Sequence, residues 1–191
     1  MDCYGRGYDP KNPVICFDER PCQLIENVLV PTLPSPGKDS REDYHYKRNG
    51  TCVVLLAIEP LTGKRIVEVR EQKTKKDYSE FMRKVERAYR KADKITLIQD
   101  NLNTHNPSSF YENMKAEAAF DLTNRFEMVF TPKKASWLNM AEIEFSALSK
   151  QCLDRRIGSI STLTFLASPV PLLSNLNLTS TYLPGSAGSG S

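Results

Sequence analysis

The chain has no C-x-x-C pair, no apolar run long enough to cross a bilayer and no charged residue after Arg156. Each absence excludes something. The five cysteines, Cys3, Cys16, Cys22, Cys52 and Cys152, are odd in number and show no ligand cluster, so a zinc or redox role is set aside and reduced thiols fit best. Cys16 and Cys52 lie in strand-like apolar runs and are expected to be buried. The N-terminus lacks the basic-then-apolar pattern of a secretion signal; the expectation is a cytoplasmic protein with no membrane partner. Without that signal, the glycosylation triplets at Asn49 and Asn177 are chance matches. A net charge of +3 permits a nucleic-acid partner without demanding one. All 26 Lys and Arg and all 23 Asp and Glu precede residue 157, which separates a charged body from an uncharged end.

What is present reads as alternating strands and helices. Residues 13 to 17 are continuously apolar and suit a short strand buried on both faces, ending at Asp18. Residues 31 to 50, with Pro31, Pro34, Pro36 and Gly37, read as a long exposed loop. Cys52 to Ile58 and Arg65 to Val69 form a hairpin around Glu59-Pro60-Leu61-Thr62-Gly63. Thr74 to Asp77 looks like a capping box, and Tyr78, Phe81, Met82, Val85, Ala88 and Tyr89 recur at helical spacing. Lys94 to Gln99 is the next strand, ending at Asp100; Asn106 and Pro107 then open a helix through Phe110 and Met114. A strand over Phe126 to Phe130 and a helix with the stripe Leu138, Ala141, Phe145, Leu148 and Cys152 follow. Residues 1 to 160 read as one α/β domain. Residues 161 to 191, rich in Ser, Leu, Pro and Gly, read as a low-complexity, disordered tail in which Pro169 and Pro171 oppose a helix.

Three acids stand out in this order: Asp18 and Asp100 at strand ends and Glu142 near the start of the last helix. A carboxylate at the end of a buried strand is costly unless something positive compensates, and magnesium is the usual partner of oxygen-only ligands. If the first strand is parallel to Lys94 to Gln99, both aspartates emerge at the end of the sheet where such folds collect ligands. Helical geometry alone leaves Glu142 and Glu144 open, because they flank the apolar stripe symmetrically. Glu19 should point to the opposite face from Asp18 as a solvated charge.

The frames Cys16-Phe17-Asp18-Glu19, Asp100-Asn101-Leu102-Asn103-Thr104-His105 and Ser136-Trp137-Leu138-Asn139-Met140-Ala141-Glu142, followed by Cys152 to Arg156, resemble those of the DDE transposases of bacterial insertion sequences, in the branch related to the mariner elements. The resemblance runs from about residue 9 to about residue 160. It implies a ribonuclease-H-like fold, a mixed five-stranded sheet flanked by helices. It also implies that Asp18, Asp100 and Glu142 bind two Mg2+ or Mn2+ ions, with Glu144 as the fallback ligand. The implied activity is phosphodiester cleavage and strand transfer on element ends and target DNA, with a homodimer as the candidate assembly. Asn101, His105 and Asn139 are expected in supporting roles, Asn101 by ordering the turn after its strand. Lys73, Lys75, Lys76, Lys133 and Lys134 are candidates for the DNA backbone, a solvated face being the plainer meaning of such lysines. Trp137 is expected to pack on the sheet, with stacking on a displaced base as the alternative. Relatives carry a helix-turn-helix region ahead of the first aspartate and charged helical sequence after the last motif. The expectation is therefore a chain truncated at both ends, with an inactive, weakly DNA-binding remnant as the alternative reading.

Overall fold

The structure, a computed structural model, describes residues 2–5, 7–28, 45–132, 136–150 and 157–167. Val14–Asn27 (β1), Tyr46–Glu59 (β2), Lys64–Arg70 (β3), Ile95–Gln99 (β4) and Phe126–Phe130 (β5) form a five-stranded sheet in the order β3-β2-β1-β4-β5. β2 is antiparallel to both β1 and β3, whereas β1, β4 and β5 run parallel. The hairpin between β2 and β3 closes through Gly63, whose amide donates to Glu59 O at 2.8 Å and whose φ of 69° favours glycine.

Lys75–Ala88 (α1), Ser108–Asn113 (α2) and Ala116–Arg125 (α3) cover one face; Met140–Leu148 (α4) lies on the other, where Ile160–Ala167 (α5) contributes Leu163. Alternation along β1 divides the core between them. Ile15 and Phe17 pack with Tyr78, Phe81, Met82 and Val85, while Cys16 packs with Val54, Ile98, Ala141 and Phe145. Phe17 is wholly buried against Tyr78 and Phe81 with ring centroids 5.6 and 5.5 Å apart. Burying one such side chain is worth about 1.5–3 kcal/mol. The capping box opening α1 is present: Thr74 Oγ1 accepts from the Asp77 amide at 3.1 Å, and Asp77 Oδ2 accepts from the Thr74 amide at 3.0 Å.

Three expectations are corrected. β1 does not stop at Phe17 but continues to Asn27. Its pairing with β4 ends at Cys16 opposite Ile98, so the later half of the strand has β2 as its ladder partner, Ile25 also donating to Ile157 O at 2.8 Å, and Pro21 can sit there without breaking the β4 ladder. α3 was not foreseen because its buried side is narrow, just Ala119 and Leu122. The tail expected from residue 161 begins instead as α5, started by Ser159, whose Oγ accepts from the Thr162 amide at 3.2 Å; Leu163 is buried. The remainder of that tail, and the greater part of the loop expected over 31 to 50, lie outside the described residues. Cys16 and Cys52 are buried as expected. Among the described residues no helix is long and apolar enough to cross a membrane.

Candidate active site

The parallel register that sets Cys16 opposite Ile98 carries both chains two residues further to Asp18 and Asp100, so the aspartates meet at one end of the sheet. Asp18 is partly buried on the α4 side of β1, at the point where pairing with β4 has stopped. Its Oδ1 accepts from the Glu19 amide at 2.8 Å. Asp100 follows β4 directly, and Glu142 sits in the first turn of α4.

Asn139 brings the third acid to the other two. It caps α4 by accepting from the Ala141 amide at 3.2 Å, and its Nδ2 donates to Phe17 O at 2.8 Å. One buried amide therefore joins the start of the helix to the residue before Asp18, and the Glu142 amide donates to Asn139 O at 3.0 Å. Two further bonds hold the same junction. Tyr4 Oη donates to Leu138 O at 2.6 Å, and Arg20 Nη1 donates to Phe145 O at 3.3 Å. Tyr4, in the short turn Asp2–Gly5, carried no sequence signal for this role.

The carboxylates sense one another. Burial, first, raises the Asp18 carboxyl from 3.8 to about 6; the Glu19 amide opposes this, and repulsion from Asp100, Glu142 and Glu19 adds to it. Among the described residues no group of three or more His, Cys, Asp or Glu side chains closes to metal-ligating spacing. The donor set itself, anionic and all oxygen, fits a hard divalent cation. Glu144 is drawn elsewhere, its Oε2 lying 2.8 Å from Arg65 Nε on β3. Of the two acids that helix geometry left open, Glu142 is near enough to Asp18 to help raise its carboxyl, and Glu144 faces Arg65 on β3.

On the opposite face of β1, Glu19 is not a solvated charge. Its side chain is 4% exposed and pairs with Lys73. It also faces His105 Nε2 at 3.5 Å, while His105 Nδ1 bonds Asp100. The His105 ring is fully buried between Phe17 and Tyr78, with centroids 5.1 and 5.0 Å away. Burial would lower its pKa, but Asp100 and then Glu19 outweigh that and raise it from 6.5 to about 9. Nδ1 is the ring nitrogen with a hydrogen bond, while Nε2 and Glu19 Oε1 are buried without one; the raised pKa favours the charged ring between the two carboxylates. Gln99 completes the mount: its Nε2 donates to His105 O at 2.9 Å, and its Oε1 accepts from Tyr78 Oη at 2.9 Å.

The remaining expected residues divide. Asn101 is exposed, and the turn ordering expected of it belongs to Asn106, which accepts from the Ser108 amide at 2.9 Å and donates to Asn103 O at 2.6 Å. Lys73 is held by Glu19, and Lys75 pairs with Glu112 at 2.6 Å; Lys76 is exposed. Lys133 and Lys134 lie outside the described residues. Trp137 does not pack on the sheet but stands 69% exposed in the turn Ser136–Leu138.

Residues 13–164 match the family described as DDE superfamily endonuclease. No curated protein matches the chain. The Mos1 mariner paired-end complex with Mn superimposes with a TM-score of 0.56 at 14% identity, covering 86% of this chain and 49% of that one. The Mos1 transposase paired-end complex with left transposon end gives 0.55 at 13% identity, covering 80% and 46%. The Mos1 strand transfer complex gives 0.54 at 13%, covering 83% and 48%. The chain thus spans just under half the length of those proteins. At such identities the likeness is one of fold, a ribonuclease-H-like mixed five-stranded sheet flanked by helices.

Proposed function

Because the chain belongs to the DDE superfamily endonucleases, we propose that it is the catalytic domain of a DNA transposase whose Asp18, Asp100 and Glu142 hold two divalent cations, Mg2+ or Mn2+. The observation that carries this reading is the parallel register of β1 and β4, which brings Asp18 and Asp100 to one end of the sheet, with Glu142 near enough that both acids add to the raised Asp18 carboxyl. Like charges kept together at partly buried positions destabilise a fold unless a cation offsets them. When bound, paired divalent ions activate an attacking oxygen and stabilise the leaving one in an in-line phosphoryl displacement.

The chain's own contribution is placement. Asn139 fixes the height of Glu142 above Phe17, the strand register fixes Asp18 beside Asp100, and His105 holds the Asp100 carboxylate. With water as nucleophile the same arrangement nicks a strand; with a freed 3′-hydroxyl it joins that strand to a target. The solved relatives of like fold are complexes with a transposon end and with Mn, which supports DNA as substrate and manganese as a competent ion.

The test is nicking of supercoiled plasmid by the full chain with Mg2+ or Mn2+, set against Asp100→Ala. Cation-dependent nicking lost in the variant supports the proposal. Equal nicking by both proteins, or none by either, refutes it and leaves the reading of a non-catalytic remnant.

A further inference from the structure

Trp137 is the chain's sole tryptophan and the most exposed of the large apolar side chains among the described residues. A single exposed apolar group means little by itself. This one differs in how it is held and in what lies beside it. The carbonyl of the next residue, Leu138, accepts from Tyr4 at 2.6 Å, and the residue after that, Asn139, donates to Phe17 O at 2.8 Å. The backbone beneath the indole is therefore pinned to the sheet next to Asp18, while the ring itself is left in solvent.

The neighbourhood explains why an aromatic group suits this spot. Cations close to these acids are already engaged, Lys73 by Glu19, Arg65 by Glu144 and Arg20 by Phe145 O. A lysine or arginine here would be drawn into the same pairing and lost to a nucleic acid. An indole attracts a base through its face without carrying charge, and does so for any base.

We propose that Trp137 is a stacking platform for an unpaired nucleobase flanking the phosphodiester that reacts at Asp18, Asp100 and Glu142; the inference rests on the transposase reading above. The occupant is a base in single-stranded or frayed DNA, because a base within duplex already has both faces stacked.

The sole tryptophan makes the test specific. The full chain, with Ca2+ replacing the reactive cations, is titrated with a short single-stranded oligothymidylate and with an abasic strand of equal length and charge. The thymidylate strand is expected to quench the indole emission and the abasic strand to leave it unchanged. By labelled-strand anisotropy, Trp137→Ala should bind thymidylate about tenfold more weakly, within the range of a lost base stack, with abasic binding unaltered. Trp137→Phe should retain most of the affinity. Unaltered abasic binding also certifies that the alanine variant is folded. Equal quenching and affinity with both strands, or thymidylate binding unchanged in Trp137→Ala, overturns the platform and leaves the transposase reading intact. Failure of the wild-type chain to bind either strand overturns both.

Discussion

Replacing Asp18 by asparagine should stabilise the cation-free protein at neutral pH. The folded chain raises this carboxyl from 3.8 to about 6, chiefly by burial, with repulsion from Asp100 and Glu142 added. A carboxyl whose folded pKa lies above its unfolded value favours folding while protonated, and that contribution is lost as pH rises through the folded value. A tenfold change in proton affinity is worth about 1.4 kcal/mol. Asp18 keeps part of its surface in water, and solvent screening reduces the full amount to ~1–2 kcal/mol. Asparagine removes the charge and retains an oxygen able to accept from the Glu19 amide. Chemical denaturation in EDTA should therefore give Asp18→Asn a higher midpoint than wild type near pH 7.5, with the gap closing towards about pH 4. Adding Mn2+ should reverse the order, since a ligand bound by the folded state stabilises only the protein that keeps the site. A variant less stable than wild type in EDTA at neutral pH, or a gain that ignores pH, would refute the reasoning.

Glu142→Gln should abolish cation-dependent nicking, whereas Glu144→Gln should keep it and lose no more than ~1 kcal/mol of stability with the Arg65 pair; comparable nicking rates in the two variants would count against the assignment. Asn139→Ala removes a buried cap and the bond to Phe17 O, so denaturant titration should register a loss of ~1–3 kcal/mol and plasmid nicking should fall with it. The His105 cation contributes stability that is complete below 6.5 and lost as pH rises through about 9. The stability difference between wild type and His105→Asn, followed across that window in EDTA, should shrink as the solution becomes alkaline; a constant difference would mean that the ring is neutral throughout.

Much of the sheet could be read from periodicity. The runs ending at Asp18 and Asp100 are apolar on both faces because β1 and β4 are central strands, and β5 matches its expected limits, Phe126–Phe130. The extension of β1 was hidden because Asp18-Glu19-Arg20-Pro21 has the composition of a break, yet antiparallel pairing with β2 carries the strand through it. α3 buries too few side chains to leave a stripe. At the site, the positions of Asp18, Asp100 and Glu142 were legible as motifs, and Asn139 was expected in a supporting role. Its bond to Phe17 O was not, because it spans 122 positions of sequence. Glu19 was misjudged for a related reason: alternation correctly turns it away from Asp18, but only tertiary contact shows that its face holds His105 and Lys73 rather than water.

The adjacency of Asp18 and Glu19 sets where the gene can tolerate changes in length. One codon gained or lost between Val14 and Asp18 would exchange the two acids between the α4 and α1 faces of the sheet. Beyond the site the β1–β2 register already shifts between Gln23 and Ile25, so an added residue there has a kink ready to absorb it. Libraries of single-codon insertions should thus show an abrupt boundary in tolerance along this one strand.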